Sequence, residues 1–321
     1  RLWYAGGNKL CNEMAQRHKV SVPAAVSIMA VHSPQTEWMV NVARADQTMD
    51  LYQNYQDAKW DNEIVEWAQA YSTKDKSGNV TYPYLEDGVL EAIQNKTLRE
   101  LISDAVAAEQ AAEAMPLGKN KKSSEYKARS AAIQQARSVT WRYTALWARA
   151  FARFNLREDY DVFSPSGNAV GLMTDDDGNV RRMGFMGLSP IWKGFRILHQ
   201  NASVQVIDKE LGEANKVRSF YMNLLFPNDM HGEVTNDTHN IAALAFMPLG
   251  SSAELVAQGL AGGHKGFSEK TVDGKKIKEP KPFWKEAGVK PFRVGNKAET
   301  GVAGLYAVFA DAIREAAQER G

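Results

Sequence analysis

Apolar and aromatic residues recur at helical spacing along most of the chain, and this periodicity constrains the fold more than any other feature. The longest such segment covers residues 124–155, where Trp141, Tyr143, Trp147 and Phe151 follow one another at the spacing of a helix face. The sequence therefore predicts a mainly α fold. Further helices are predicted at residues 8–19, 21–32, 37–55, 57–70, 86–114, 189–199, 216–226 and 300–320.

Turn-forming residues interrupt this pattern in three places. Residues 72–84 contain turn chemistry between short β-like pieces, and residues 161–187 are typical of a β-hairpin whose turn lies at residues 175–179. Residues 262–297 are rich in Gly, Lys and Pro, which predicts a long loop. We predict five segments. They are a first part of a helical core (1–56), an insertion with helices and β-hairpins (57–187), a catalytic helical core (188–260), a basic loop (261–297) and a C-terminal helix (298–321).

Composition excludes several classes of protein. The 321 residues include 39 Lys+Arg and 38 Asp+Glu, so a strongly basic nucleic-acid-binding protein is excluded and any basic surface must be local. The single cysteine, Cys11, excludes a disulfide framework and a thiolate-rich metal site. The histidines are scattered, so we expect no metal. No signal-peptide pattern or membrane-spanning run is present, and we expect a cytoplasmic protein without a membrane partner.

Asp237 and Lys216 form the most suggestive pair of reactive side chains. Asp237 precedes the apolar run 241–245, and Lys216 begins the amphipathic segment 216–226. A carboxylate and an amine across a cleft suit chemistry at an electrophilic sugar carbon, because one stabilises positive charge and the other is a nucleophile. The alternative interpretation is plainer: Asp237 caps the following helix, and Lys216 is a solvated helix lysine.

The segment from Lys216 through Val234-Thr235-Asn236-Asp237-Thr238-His239 resembles the core of the helix-hairpin-helix DNA glycosylase superfamily, the endonuclease III-like group. The resemblance implies a helix-hairpin-helix core, with the small β-hairpin-containing insertion added to it. It assigns the catalytic aspartate position to Asp237 and the lysine position to Lys216. It also implies a double-stranded DNA partner whose damaged or modified base is flipped out of the duplex.

A second resemblance lies upstream, where residues 24–36 are similar to the family's apolar helix followed by its Ser-x-Gln-Thr motif. By this resemblance Gln35 inserts into the duplex where the target base has left. The remaining predicted DNA contacts are Ser33, Asn41, Asn215, Arg218 and His239. Trp38, Tyr221 and His32 are the candidates for a base pocket, although the aromatic residues suit a hydrophobic core equally well.

The chain departs from the family pattern in ways that bear on function. Residues 211–215 contain one glycine and no proline, where the family has Leu-Pro-Gly-x-Gly. One cysteine cannot hold the family's iron–sulfur cluster, so we expect no cofactor. The enlarged insertion is similar to phage-encoded members, which would act in a bacterial host cell. Two alternatives therefore stay open. One is a transferase that attaches an amino acid or amine to an activated 5-hydroxymethyluracil. The other is a non-catalytic DNA-binding protein on a degenerate scaffold.

Two further features have both a structural and a DNA-binding interpretation. Residues 119–124 form a basic loop, which is either a solvated connection or a phosphate contact. Arginines alternate with the aromatic residues of 124–155, a pattern that indicates a core helix more often than a base-stacking surface.

Overall fold

The computed structural model describes residues 2–34, 36–75, 77–182, 187–212, 215–228, 234–235, 267–272, 275–280 and 306–319. Within these ranges the protein is mainly helical, as predicted. The helices are α1 (Leu2–His18), α2 (Val22–His32), α3 (Trp38–Asn54), α4 (Asn62–Ala70), α5 (Val89–Ile93), α6 (Leu98–Ala114), α7 (Ser124–Gln135), α8 (Trp141–Asn155), α9 (Leu188–His199), α10 (Val204–Leu211), α11 (Asn215–Leu225) and α12 (Tyr306–Glu319).

The short strands form antiparallel pairs. They are β1 (Thr73–Lys74) with β2 (Val80–Thr81), β3 (Asp161–Phe163) with β4 (Ala169–Leu172), and β5 (Phe267–Val272) with β6 (Lys275–Pro280).

The chain divides into two compact units. One comprises Lys9–Glu210, and the other comprises Arg1–Asn8 together with Leu211–Gly321. We call them the large unit and the small unit.

The large unit contains a hydrophobic core whose residues run from Leu51 to Phe195 in sequence. Trp141 and Trp147 of α8 are fully buried in it, so the aromatic stripe of residues 124–155 belongs to the core. The predicted insertion shares this core with α3 before it and α9 after it. The core contributes most of the folding free energy through burial of apolar surface.

Helix α2 is buried along nearly its whole length, because residues 24–32 are almost all small or apolar. It packs against α3 and α9, and α9 in turn packs against α8. Gly194 permits the close approach of α9, since a Cβ there would lie 2.6 Å from Thr48 Cγ2 on α3. Ser21 caps the start of α2 by accepting from Ala24 N, with a proline in the first turn, as the sequence predicts.

The predicted long helix over residues 124–155 is confirmed, with one addition. α7 and α8 are joined by a π-helical turn, Ala136–Thr140, in which the Thr140 hydroxyl donates to Ala136 O. The predicted helix over residues 86–114 is divided into α5 and α6. A capping box at Thr97 and Glu100 starts α6, because each side chain bonds the other residue's backbone N–H.

Two β predictions need correction. The hairpin of residues 161–187 turns first at residues 164–168, where Ser164 N donates to Asn168 O, and β3 pairs with β4 across that turn. The predicted turn at 175–179 is present, but only a single bridge from Thr174 to Val180 flanks it. The prediction of a loop over residues 262–297 is wrong for β5 and β6, which pair in register from Phe267–Pro280 to Val272–Lys275. The Asp-Gly dipeptide between these strands is a hairpin signal that the composition concealed.

Candidate functional site

The candidate catalytic lysine lies at the start of a helix that follows a glycine turn. α10 ends at Leu211, Gly212 adopts a left-handed conformation with φ of 64°, and α11 begins at Asn215. Residues with a side chain rarely adopt this φ, so the position favours glycine. Arg218 donates to Gly212 O at 2.6 Å, which fixes the turn to the first part of α11. Lys216 is half-buried on the second residue of that helix.

The segment just before Asp237 is bonded to the same helix. Asn223 Nδ2 on α11 donates to Thr235 Oγ1 at 3.1 Å. Thr235 lies two residues before Asp237, and Asn223 lies seven residues after Lys216 along a helix that rises about 1.5 Å per residue. The small unit thus attaches the chain that leads to Asp237 to the helix that carries Lys216. Asp237 and His239 themselves lie outside the described residues.

The apolar face of α11 packs within the small unit. Phe220 contacts Trp3 and Tyr4, with ring centroids 6.0 and 6.4 Å apart, and Asn8 Nδ2 donates to Leu224 O at 2.8 Å near the end of the helix. Tyr221 is half-buried, and burial raises the pKa of its hydroxyl, so it stays a neutral donor. α11 is therefore held at both ends, by Arg218 near its start and by Asn8 near its end.

The second group of candidates lies at the junction of α2 and α3 in the large unit. Ser33 ends α2, and its hydroxyl donates to Ala30 O at 2.8 Å. His32 is buried with its Nε2 atom 2.9 Å from Thr48 Oγ1. Burial and the nearby Arg44 lower the pKa of His32 to about 3, so its imidazole is neutral at physiological pH. His32 therefore joins α2 to α3, whereas the Ser33 hydroxyl bonds the last turn of its own helix.

Asn41 and Trp38 lie on the first turns of α3. Asn41 is 2 % exposed, and its Oδ1 atom accepts no hydrogen bond from the part of the chain that the structure describes. Trp38 is half-buried at the first residue of the helix. Gln35 lies outside the described residues, between these side chains and Ser33.

The candidates thus fall into two groups, each of which belongs to a different unit. Lys216, Arg218 and Tyr221 share α11 in the small unit, where Asn215 begins the helix. His32, Ser33, Trp38 and Asn41 share the α2–α3 junction in the large unit.

The large unit contains a buried network of charges that the sequence did not indicate. Arg196 on α9 is 1 % exposed and donates to Glu109 on α6 at 2.6 Å and to Glu210 on α10. Trp141 Nε1 donates to the second oxygen of Glu109 at 3.2 Å. Burial alone would raise the pKa of Glu109, but Arg196, Lys209 and Arg137 outweigh it and the pKa is lowered. Burial raises the pKa of Glu210. No local sequence pattern distinguishes these residues from surface charges.

The large unit also has a cleft of about 450 Å³ between α1, α3 and the β3–β4 hairpin. Asp46 lines it and accepts from Arg17 at 3.0 Å, and His18 Nε2 lies 2.7 Å from the same carboxylate. Asp159 and Asp161 pair with Arg157, and Glu13 pairs with Lys9, whereas Asp50 accepts from Asn54 and has no ion-pair partner among the described residues. Five carboxylates and the three cations Lys9, Arg17 and Arg157 line the cleft, so its lining is net acidic.

Across the described ranges, no three His, Cys, Asp or Glu side chains are placed to hold a metal ion. Cys11 is buried, and burial raises the pKa of its thiol to about 12. No helix in those ranges is long and apolar enough to cross a membrane.

One comparison with known proteins gives a match. Residues 1–108 of the 321 match the model of a family that is described as a family of unknown function (DUF7178). The matched segment includes α2, α3 and the candidates between His32 and Asn41. No curated protein and no solved structure matches the chain.

Proposed function

We propose that the protein acts on a base of double-stranded DNA through Asp237 and Lys216, with a helix-hairpin-helix core of the DNA glycosylase type. One observation carries the proposal: the hydrogen bond between Asn223 and Thr235 attaches the segment that precedes Asp237 to the helix that begins with Lys216. The helix–Gly212–helix arrangement at the start of α11 supports it, because this is where the resemblance expects a hairpin.

The proposed chemistry breaks the bond between C1′ of the sugar and the base. As the base leaves with its bonding electrons, positive charge develops on the sugar, and the Asp237 carboxylate stabilises it. Water then adds to C1′ and gives up a proton, and the departing base takes up a proton. In a variant of this route, the neutral amine of Lys216 attacks C1′ in place of water. Gln35 fills the space that the flipped base leaves.

A transferase is the second candidate, and the hairpin favours it, because residues 211–215 keep only one of the family's two glycines. In this chemistry the glycosidic bond stays intact. A nucleophilic amine forms a bond to the exocyclic methylene carbon of an activated thymine, and the activating group leaves with the electrons of the broken bond. The amine then loses a proton.

The test is to incubate the protein with duplexes that carry uracil, oxidised, alkylated or 5-substituted pyrimidines, and then to digest them to nucleosides and measure masses. We expect free base or abasic sites, and we expect Asp237→Asn to lower the rate about a thousandfold or more. Asp176→Asn is the matched control, because Asp176 is exposed in the turn at residues 175–179.

The outcomes separate three functions. Base release that is lost in Asp237→Asn and retained in Asp176→Asn supports a glycosylase. An altered base mass without abasic sites supports the transferase instead. Unchanged nucleosides in every duplex, together with duplex binding that Asp237→Asn does not affect, contradict both enzymes and support a binding protein.

A further inference from the structure

One of the two most basic segments of this nearly neutral chain lies at residues 117–142; the other is the segment of residues 262–297, which also carries +6. Residues 117–142 contain seven Lys and Arg residues and a single acidic residue, Glu125, whereas the net charge of the whole chain is +1. The segment therefore carries +6, and the rest of the chain is acidic by five charges. The seven cations are Lys119, Lys121, Lys122, Lys127, Arg129, Arg137 and Arg142. Such a division of charge produces a strong local potential in a protein whose total charge is small.

The lysines at the start of this segment belong to an ordered turn. Gly118 adopts a φ of 68°, and a Cβ there would lie 2.2 Å from Ser123 Oγ, so the turn requires glycine. Lys122 N donates to Asn120 Oδ1 at 2.9 Å, and the Ser123 side chain accepts from Tyr126 N to cap α7. The turn holds three exposed lysines beside the positive end of the α7 dipole, which raises the local potential further.

Described carboxylates pair with two of the seven cations, Arg137 with Glu109 and Arg142 with Glu86, but they do not neutralise the lysines. None of the described acidic oxygens lies within ion-pair distance of Lys119, Lys121, Lys122 or Lys127. Arg129 donates to the backbone oxygen of Glu113 at 3.1 Å, a contact that orients the side chain without cancelling its charge. Helix α7 has no buried residue over its 12 positions, so its side chains are available to a partner.

A groove of about 570 Å³ continues this basic surface. Arg137 and Arg142 line it together with the hydroxyls of Ser130, Ser138 and Ser189. The apolar side chains of Ile133, Leu188 and Trp192 complete the lining with Gln134, and no carboxylate lines it. Arg137 shares the carboxylate of Glu109 with Arg196 and Lys209, and those two cations also pair with Glu210 and Glu113. The π-helical turn supplies Arg137 and Ser138, and π-helical turns in long helices occur often at functional sites.

We propose that this basic surface, residues 119–142 with the groove beside it, binds the phosphate backbone of double-stranded DNA. The proposal rests on the proposed function, which supplies the duplex, and it assigns a second DNA contact far in sequence from the hairpin at Gly212. Lysines and serine hydroxyls contact phosphates without reading the base sequence. The surface thus holds a duplex in place while the catalytic residues act on one base.

The chemistry of the surface favours a nucleic-acid backbone over other anionic partners. A membrane-bound helix needs one apolar face beside its basic one, and α7 has no buried or strongly apolar face. A protein partner would need a larger apolar contact region than Ile133, Leu188 and Trp192 of the groove supply, because the exposed side chains of this segment are mainly charged and polar.

The experiment compares two triple variants that each remove three positive charges. Lys119→Gln/Lys121→Gln/Lys122→Gln removes the lysines of the basic surface. Lys19→Gln/Lys59→Gln/Lys74→Gln removes three exposed lysines elsewhere in the large unit. Affinity for an unmodified duplex is measured between 50 and 200 mM salt. Each phosphate contact contributes about 0.9 to the slope of log K against log salt, so the first variant should lower the slope by about 2–3 and the affinity about 10- to 100-fold.

The control variant should bind the duplex within about threefold of the unmodified protein, because non-contacting charges act only through screened long-range attraction. Lys119→Arg/Lys121→Arg/Lys122→Arg should retain both slope and affinity. Equal losses in both glutamine variants overturn the proposal. Binding of phosphatidylserine vesicles in place of the duplex overturns it too.

These outcomes are distinct from failure of the proposed chemistry, because the duplex in this experiment carries no target base. If the unmodified protein alters no base but the first glutamine variant loses duplex affinity, the DNA surface is supported and the enzyme is rejected. If the unmodified protein releases a base and that variant binds the duplex as tightly as before, the enzyme is supported and the DNA surface is rejected.

Discussion

At the scale of single residues, Arg196 has the least exposed charge of the described network. Its guanidinium bonds Glu109 and Glu210, and it lies over the rings of Trp141 and Trp192 at 5.6 and 6.0 Å. Helices α6, α9 and α10 therefore meet at one buried cation. A buried ion pair adds little net stability, but removal of one member leaves an uncompensated charge in a region of low dielectric.

Arg196→Met should lower the free energy of unfolding by about 3–5 kcal/mol, because the buried carboxylate of Glu210 loses its bonded cation and Glu109 loses one of three. Urea unfolding measures the loss. The double variant Arg196→Met/Glu210→Leu should recover part of it. Arg99→Met is the control, since Arg99 pairs with an exposed carboxylate, Asp57, and should change stability little. A loss in Arg196→Met no larger than that of the control would contradict the role given to this network.

His32 should not titrate in the folded protein above about pH 5, because its pKa is lowered to about 3. In the unfolded chain His32 takes up a proton near pH 6.5, so its contribution to the free energy of unfolding is complete above that pH. This contribution falls by about 1.4 kcal/mol per pH unit as the pH decreases from 6.5 toward 3, because only the unfolded chain binds the proton there. NMR of the imidazole Cε1–H signal tests this, with the urea-unfolded protein as reference. A midpoint above pH 5 in the folded state would be incompatible with the buried His32–Thr48 contact.

At the scale of elements, close approach between helices depends on one glycine. α9 contacts α3 through Gly194, whose missing side chain leaves room for the Thr48 methyl group. Thr48 also bonds His32, so the same residue links α2, α3 and α9. A small change at Gly194 therefore affects the packing of three helices.

Gly194→Ala should lower the free energy of unfolding by about 1–3 kcal/mol, because its Cβ would lie 2.6 Å from Thr48 Cγ2. The double variant Gly194→Ala/Thr48→Ser removes that methyl group and keeps the hydroxyl, so it should regain part of the loss. Gly171→Ala, on a strand where the added Cβ meets nothing within 4 Å, is the control for thermal unfolding. Equal melting temperatures in both single variants would rule out the close approach.

The element boundaries show what local signals predict. The start of α6 was available from the sequence, because Thr97 and Glu100 have the spacing of a capping box. The β5–β6 pair was available too, because Asp273-Gly274 is a hairpin turn sequence between β-branched residues. The π-helical turn at Ala136–Thr140 has no comparable signal, because its geometry depends on packing against α6.

At the scale of the whole molecule, the division into units makes a prediction about fragments. The hydrophobic core from Leu51 to Phe195 lies entirely within Lys9–Glu210. A fragment of residues 9–210 should therefore unfold cooperatively and keep the near-ultraviolet circular dichroism of its buried tryptophans. It should show none of the proposed base chemistry, since the proposed residues Lys216 and Asp237 are absent. A non-cooperative fragment without a near-ultraviolet signal would show that the core depends on the small unit.

The sequence by itself determined the helical class, the α2 cap, the long aromatic helix and the positions of Lys216 and Asp237 along the chain. These features depend on periodicity and on short-range contacts, which a few neighbouring residues specify. Only the tertiary structure showed the buried Arg196 network, the contact of Gly194 with Thr48 and the hydrogen bond from Asn223 to Thr235. Each joins residues on separate elements, and their proximity depends on how the helices pack.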